Sequence, residues 1–147
     1  MERFKTFTVL IASLARNIRK IKTEEMAKWN LKSHHVSCIY YLYEKKRLTA
    51  KELCDICAED KANVSRSIEY LEEHGYVRCD SNTAKRYKSH FELTEKGKEI
   101  GENIYSRIER ILSQAGDGLS NEDRAVMYKG LASINDNLQK VYDEYGK

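Results

Sequence analysis

Along most of the chain, apolar positions recur at alternating steps of three and four. The first stripe, Phe4, Phe7, Ile11, Leu14, Ile18 and Ile21, predicts an amphipathic helix over about 2–28. Later stripes predict helices over 34–45, 50–57, 61–74, 95–114 and 121–144. Between them, "YVRCD" and "SHFEL" flank "SNTAKRYK" and predict a β-hairpin over 76–93. Ser33, Thr49, Asp60, Thr94 and Ser120 each stand just before a periodic segment, where a side-chain oxygen can accept from the orphan N–H groups of a first helical turn. Gly75 follows such a segment as a C-cap, and "QAGDGLS" at 114–120 is the clearest interhelical break.

The last predicted helix aligns Met127, Leu131, Ile134, Leu138, Val141 and Tyr145 at steps of four and three, the seam of a coiled-coil-like contact, and the first helix has the same period. These two seams could pack on each other within one chain. The middle of the chain, however, has apolar residues enough for its own small core, so an isologous two-fold homodimer is the expected use of the seams, with Phe7, Ile11, Leu14, Leu131, Ile134 and Leu138 at the contact.

Composition narrows the class. A chain of 147 residues suffices for one domain with a modest core. Proline is absent, against an average of roughly 5%, which favours long uninterrupted helices over a turn-rich β fold. The start, "MERFKTFTVLIASLARN", imitates a secretory signal, but the stripe continues past Ala15, where cleavage would fall, and an amphipathic helix explains it better. No apolar run approaches the roughly 18 residues of a membrane span. Cys38, Cys54, Cys57 and Cys79 show no secreted-framework spacing, so a reduced, cytoplasmic protein is expected.

The net charge of +3 permits an anionic partner without demanding one, so the placement of the charges decides. In "ANVSRSIEYLEEHGYVRCD", Val64, Ile68 and Leu71 share one helical face while Ala62, Arg66, Glu69 and Glu73 point the other way. The apolar face needs a neighbour, which the short stripe Leu53, Ile56 and Cys57 supplies across the tight "AED" connection at 58–60. Helix, turn, helix and hairpin together make a winged helix-turn-helix. In that motif the front of the second helix enters the major groove. Lys61, Asn63, Ser65, Arg66 and Ser67 stand there, with Asn and Arg able to pair bidentately with adenine and guanine edges and the Lys and Ser residues suited to phosphates. The hairpin loop offers Lys85, Arg86 and Lys88 beside Tyr87, the makings of a basic wing that reaches a minor groove or the backbone. A plain solvated helix face and a merely soluble hairpin are the competing readings of the two features.

Taken together, "LTAKELCDICAEDKANVSRSIEYLEEHGYVRCD" (48–80), the wing and "LTEKGKEI" (93–100) resemble the multiple antibiotic resistance regulator (MarR) family of dimeric winged-helix transcription factors, and the flanking helices extend the likeness over nearly the whole chain. The resemblance implies a mainly α fold with a small β-hairpin wing. It places dimerisation helices at 1–30 and 95–147 and a winged helix-turn-helix DNA-binding domain at 31–94. It also implies binding to double-stranded DNA at pseudo-palindromic sites, usually as a repressor; neither enzyme activity nor a cofactor is expected. The family's wing-tip arginine falls on Arg86; where the family often has Asp just before it, this chain has Lys85, which makes the wing more basic and favours phosphate contact. Relatives often bind small phenolic or lipophilic effectors, and Arg16, Trp29, Tyr40 and Tyr43 are the residues here that could line such a cleft.

Other motifs point more weakly to chemistry. Cys54 and Cys57 form a CxxC within a predicted helix, which reads as buried structural cysteine or, alternatively, as the site of a thiol-based redox-sensing regulator. His34 and His35 are adjacent and so diverge on a helix, a poor metal pair. There is no nucleophile-base spacing, Gly-rich phosphate loop or HExxH. A winged-helix module used only for protein contact, without specific DNA binding, is the remaining alternative.

Overall fold

The computed structural model describes residues 2–80 and 88–146. The chain divides into two compact units, Met1–Arg107 and Ile108–Lys147.

In the first unit the chain opens with a π-helical segment, Lys5–Leu10, that runs straight into α1, Ile11–Met26. The Ile11 N–H reaches Thr6 instead of Phe7, which widens the turn and departs from the regular helix the sequence predicts. A tight turn at Ala27–Trp29 and a left-handed Asn30 (φ +56°) lead to α2, Ser33–Lys45. The expected cap at Ser33 is displaced by one residue. Lys32 is the N-cap, and its N–H donates to Nδ1 of the buried His35 at 3.0 Å.

Next come β1 (Leu48–Thr49), α3 (Ala50–Cys57) and α4 (Lys61–Glu73), followed by β2 (Val77–Cys79), β3 (His90–Leu93) and α5, Glu95–Ala115, which continues into the second unit. Among the described residues the sheet has three strands in the order β1-β3-β2, all antiparallel, where the sequence suggests a two-stranded hairpin. The extra strand pairs Leu48 with Phe91 and Thr49 with His90, so β3 is the central strand. Arg78 and Glu92 stand opposite each other in the β2–β3 register and form an ion pair at 2.7 Å.

The caps show why α3 and α4 start where they do. Thr49 Oγ1 accepts from the Glu52 N–H at 3.2 Å while the Glu52 carboxylate accepts from the Thr49 N–H at 2.7 Å, a reciprocal capping box that also lowers the Glu52 pKa. Asp60 accepts from the Asn63 N–H at 2.7 Å. α4 ends at Gly75 (φ +76°), where the N–H groups of Gly75 and Tyr76 bond back to the Glu72 and Leu71 carbonyls in the double closure that a left-handed residue permits.

Core residues come from every layer of this unit: Met26, Ile39, Leu42, Leu53, Leu71, Phe91 and Ile104 are among those fully buried. Fully burying each such side chain contributes about 1.5–3 kcal/mol. The front of α5 lies hard against the sheet because position 97 is glycine; a Cβ there would stand 1.9 Å from the Tyr76 carbonyl oxygen. Thr94 caps this helix by accepting from the Gly97 N–H at 3.0 Å.

The second unit contains the end of α5, a turn and α6, Asn121–Glu144. Ser120 caps α6 through the Asp123 N–H at 3.0 Å, as its position predicts. No residue of α6 is buried in the chain.

Candidate nucleic-acid interface

The face of α4 that packs is Val64, Ser67, Ile68 and Leu71. Ser67 therefore does not belong to the exposed set expected from the sequence. At about 100° per residue it falls inside the arc of Val64, Ile68 and Leu71, and it is only 1% exposed. Lys61, Ser65 and Arg66 are exposed and Asn63 is half-buried, so these four share the accessible side of the helix front.

Their side chains are already organised. The Arg66 guanidinium donates to the Asn63 Oδ1 at 2.5 Å, and the Asn63 amide donates to Asp60 Oδ2 at 3.1 Å and to Glu59 Oε2 at 3.4 Å. A chain of hydrogen bonds thus runs from the turn to the arginine, which limits the rotamers Arg66 samples and aims its fork outward. The turn carboxylates were not part of the charge sorting read from the sequence, and they change one expectation. The Asn63 N–H at the helix front is satisfied by Asp60, so it is not open to an anion, while basic side chains nearby are exposed. Lys51 of α3 is one that the sequence reading passed over. With Lys61, Ser65, Ala50, Cys54 and Phe91 it lines a cleft of about 400 Å³ between α3, α4 and the sheet.

Tyr70 holds the rear of α4. Its ring stacks on His35 (4.3 Å between centroids) and on His74 (3.9 Å), and its hydroxyl donates to the Asn30 carbonyl at 2.6 Å. Burial, with His34, Lys32 and His74 nearby, pushes the His35 pKa from 6.5 down to about 4. His34 meets His35 edge-on at 4.3 Å and its pKa is also lowered, chiefly by burial. The His35–Tyr70 stack thus ties α4 to α2.

At the hairpin, Arg47 forms an ion pair with Asp80, and the Asp80 carboxylate accepts from the His90 N–H at 3.2 Å, which closes the base of the wing. Lys88 is exposed at the entry to β3. Lys85 and Arg86 lie outside the described residues.

Of the residues expected to line an effector cleft, Tyr40 and Tyr43 come together at a third ring. Tyr40 stacks on Tyr105 at 5.0 Å and Tyr43 lies 5.5 Å from the same ring, because positions three apart share one face of α2. A cleft of about 500 Å³ includes Tyr43 with Leu42, Lys46, Arg47 and Glu92, but Arg16, Trp29 and Tyr40 are not among its walls. Arg16 is exposed on α1, and Trp29 packs under the Lys28 ammonium at 4.0 Å.

The six residues assigned to a dimer contact occupy the two seams. Phe7, Leu14, Leu131 and Leu138 are exposed large hydrophobics, and Ile11 and Ile134 are half-exposed. Among the described residues no helix is long and apolar enough to cross a membrane.

Residues 29–86 match the model of the MarR family. Over 138 residues, covering 94% of this chain and 81% of the other, the sequence is 23% identical to the uncharacterized HTH-type transcriptional regulator YwaE of Bacillus subtilis. Among solved structures, the fold is similar to NMB1585, a MarR family regulator from Neisseria meningitidis (TM-score 0.82, 15% identity, 98% of this chain and 99% of that one). It is similar also to S. aureus MepR in complex with DNA (TM-score 0.80, 16% identity, 93% and 99%). A putative MarR family regulator from Listeria monocytogenes, complexed with 26mer DNA, is equally similar (TM-score 0.80, 22% identity, 93% of each chain).

Proposed function

We propose that this chain, a MarR-family protein through its match over residues 29–86, is a cytoplasmic, homodimeric, sequence-specific DNA-binding regulator of transcription and not an enzyme. The observation that carries the reading is the front of α4: a helix seated by Val64, Ile68 and Leu71 presents Arg66 outward, oriented by Asn63. MepR and the Listeria regulator, which share the fold, are each complexed with DNA, and that supports the same use here.

In this reading residues 31–94 are the DNA-reading domain and 1–30 and 95–147 the dimerisation helices. α4 enters the major groove, where the Arg66 fork pairs with O6 and N7 of a guanine, a geometry no monodentate cation reproduces. Lys51 and Lys61 meet the flanking phosphates, and Lys85, Arg86 and Lys88 of the wing clamp the neighbouring groove or backbone. Two copies related by a two-fold axis read a pseudo-palindrome with half-sites about 34–36 Å apart or a multiple of that. Occupancy of a promoter represses it by exclusion. The aromatic surface open to a phenolic or lipophilic effector that relieves repression is Tyr40, Tyr43 and Tyr105.

Selection of genomic fragments by the purified protein yields the operator. On that operator Arg66→Ala costs about 1–3 kcal/mol of binding per half-site and relaxes preference at one base pair, while Lys88→Ala weakens all duplexes alike and lowers the salt slope by about one phosphate per site. If no fragment is enriched over bulk DNA, the protein is a winged-helix module for protein contact instead.

A further inference from the structure

The edge of α4 that carries Arg66 continues to the rear of the helix. Asn63, Arg66, Tyr70 and the C-cap His74 stand at steps of three and four, so they line one edge, and Tyr70 lies about 6 Å, or one turn, behind Arg66. The Tyr70 ring has little freedom to turn. It is sandwiched between His35, inclined to it by 13°, and His74, inclined by 19°. Its hydroxyl reaches out of this stack to the Asn30 carbonyl at 2.6 Å, a partner 40 residues back along the chain.

The acceptor is equally fixed. Asn30 is left-handed and closes the tight turn after α1: its N–H returns to the Ala27 carbonyl at 3.1 Å, and the Leu31 N–H to that of Met26 at 3.2 Å. Met26 and Leu31 are core residues, and α1 carries Ile11 and Leu14 of the proposed dimer contact. The end of α4 is pinned separately to the start of α5. Lys96 Nζ donates to the His74 carbonyl at 2.9 Å, and Thr94 Oγ1 to the Gly75 carbonyl at 2.6 Å. These two bonds hold main-chain oxygens close to the helix axis, so they resist sliding better than rolling. Tyr70 acts from the rim of the helix, where the lever against roll is longest.

We propose that Tyr70 is a positioning residue for DNA reading: its hydroxyl, anchored on the Asn30 carbonyl, sets the roll of α4 against α1 and thereby the one half-site spacing that the two α4 helices of a dimer read together. Tyr70 has this role only if the dimeric, DNA-binding reading above holds. It touches no base itself. Because Arg66 shares its edge of the helix, a roll of α4 swings the guanidinium across the groove floor. Without the hydroxyl each α4 samples several rolls. The correct operator must then select one of them, which costs affinity, while an operator of altered spacing finds a roll that suits it.

The test compares the parent and Tyr70→Phe on three duplexes: the operator selected from genomic DNA, the same operator with one base pair inserted between its half-sites, and bulk DNA. The inserted pair turns one half-site by about 34–36° and moves it by about 3.4 Å relative to the other. Phenylalanine keeps the ring between the two imidazoles, so circular dichroism and the urea midpoint should stay close to those of the parent. The parent should lose about a hundredfold in affinity on the inserted duplex. Tyr70→Phe should bind the operator about tenfold more weakly, two hydroxyls being lost per dimer, yet lose less than about fivefold more on the inserted duplex. Bulk DNA should bind both proteins alike. A tyrosine that only supports the fold would lower stability and all three affinities together and leave the ratio between the two operators at the parent value. That result overturns the proposal, and so does a parent that binds both operators equally. If the parent enriches no genomic fragment, the DNA-binding reading itself fails, whereas an unchanged ratio in a protein that does select an operator refutes the role of Tyr70 alone.

Discussion

α4 and α6 are both amphipathic helices with side-chain N-caps, yet they end in opposite states. α4, at 13 residues, buries Val64, Ser67, Ile68 and Leu71, whereas α6, at 24 residues, buries none and leaves Met127, Leu131, Leu138 and Val141 exposed. A stripe of this kind is stable in water only when something covers it, because helices draw most of their stability from packing and not from propensity. The difference separates an apolar face that serves the fold from one that the proposed dimer would use. It also fits the π-helical opening and α1, where Phe4, Phe7, Leu14, Ile18 and Ile21 are exposed in the same way.

Substitutions in the two stripes should therefore fail differently. Leu71→Ala, at a fully buried position, should lower unfolding free energy by about 2–5 kcal/mol at every protein concentration, by urea titration. Leu138→Asp, at a position 60% exposed in the chain, should leave the circular dichroism of the first unit intact and convert the dimer to monomer by light scattering, since a carboxylate would be desolvated at the contact. Should the parent itself run as a monomer at micromolar concentration, the assembly role of α6 is wrong.

A smaller effect sharpens the account of α4. The His35 pKa is depressed from 6.5 to about 4 in the folded chain, so between these values the unfolded chain binds a proton that the native one refuses. Stability should be full above about pH 6.5 and fall as pH drops toward 4, by at most about 1.4 kcal/mol per pH unit. His35→Phe keeps an aromatic ring against Tyr70 and should flatten that slope between pH 6.5 and 4.5 at fixed protein concentration. An unchanged slope would show that His35 titrates normally.

Local chemistry made much of this legible in the sequence. Thr49, Asp60, Thr94 and Ser120 cap the helices they precede, and the Val64, Ile68, Leu71 face is the one buried. What escaped was settled by groups distant along the chain or by features too short to show a period. Leu48–Thr49 is a strand of two residues, recognisable only by its pairing with β3. Ser33 has cap chemistry, but the His35 imidazole takes the Lys32 N–H. Ser67 has the side chain of a phosphate ligand and the angular position of a core residue, and position decided. Asp60 and Glu59 are visible beside α4, yet their hold on Asn63 depends on the backbone turn at Ala58.

The central claim is that the face of α4 carrying Lys61, Ser65 and Arg66 is a DNA surface, and the salt dependence of binding by reduced wild-type protein tests it most directly. Titrating a duplex selected from genomic DNA between 50 and 200 mM salt should give a linear fall of log K against log[salt]. With about six phosphates neutralised by a dimer, affinity should drop on the order of 10³-fold across that range. A flat line, or affinity no greater than for an uncharged polymer, would contradict it.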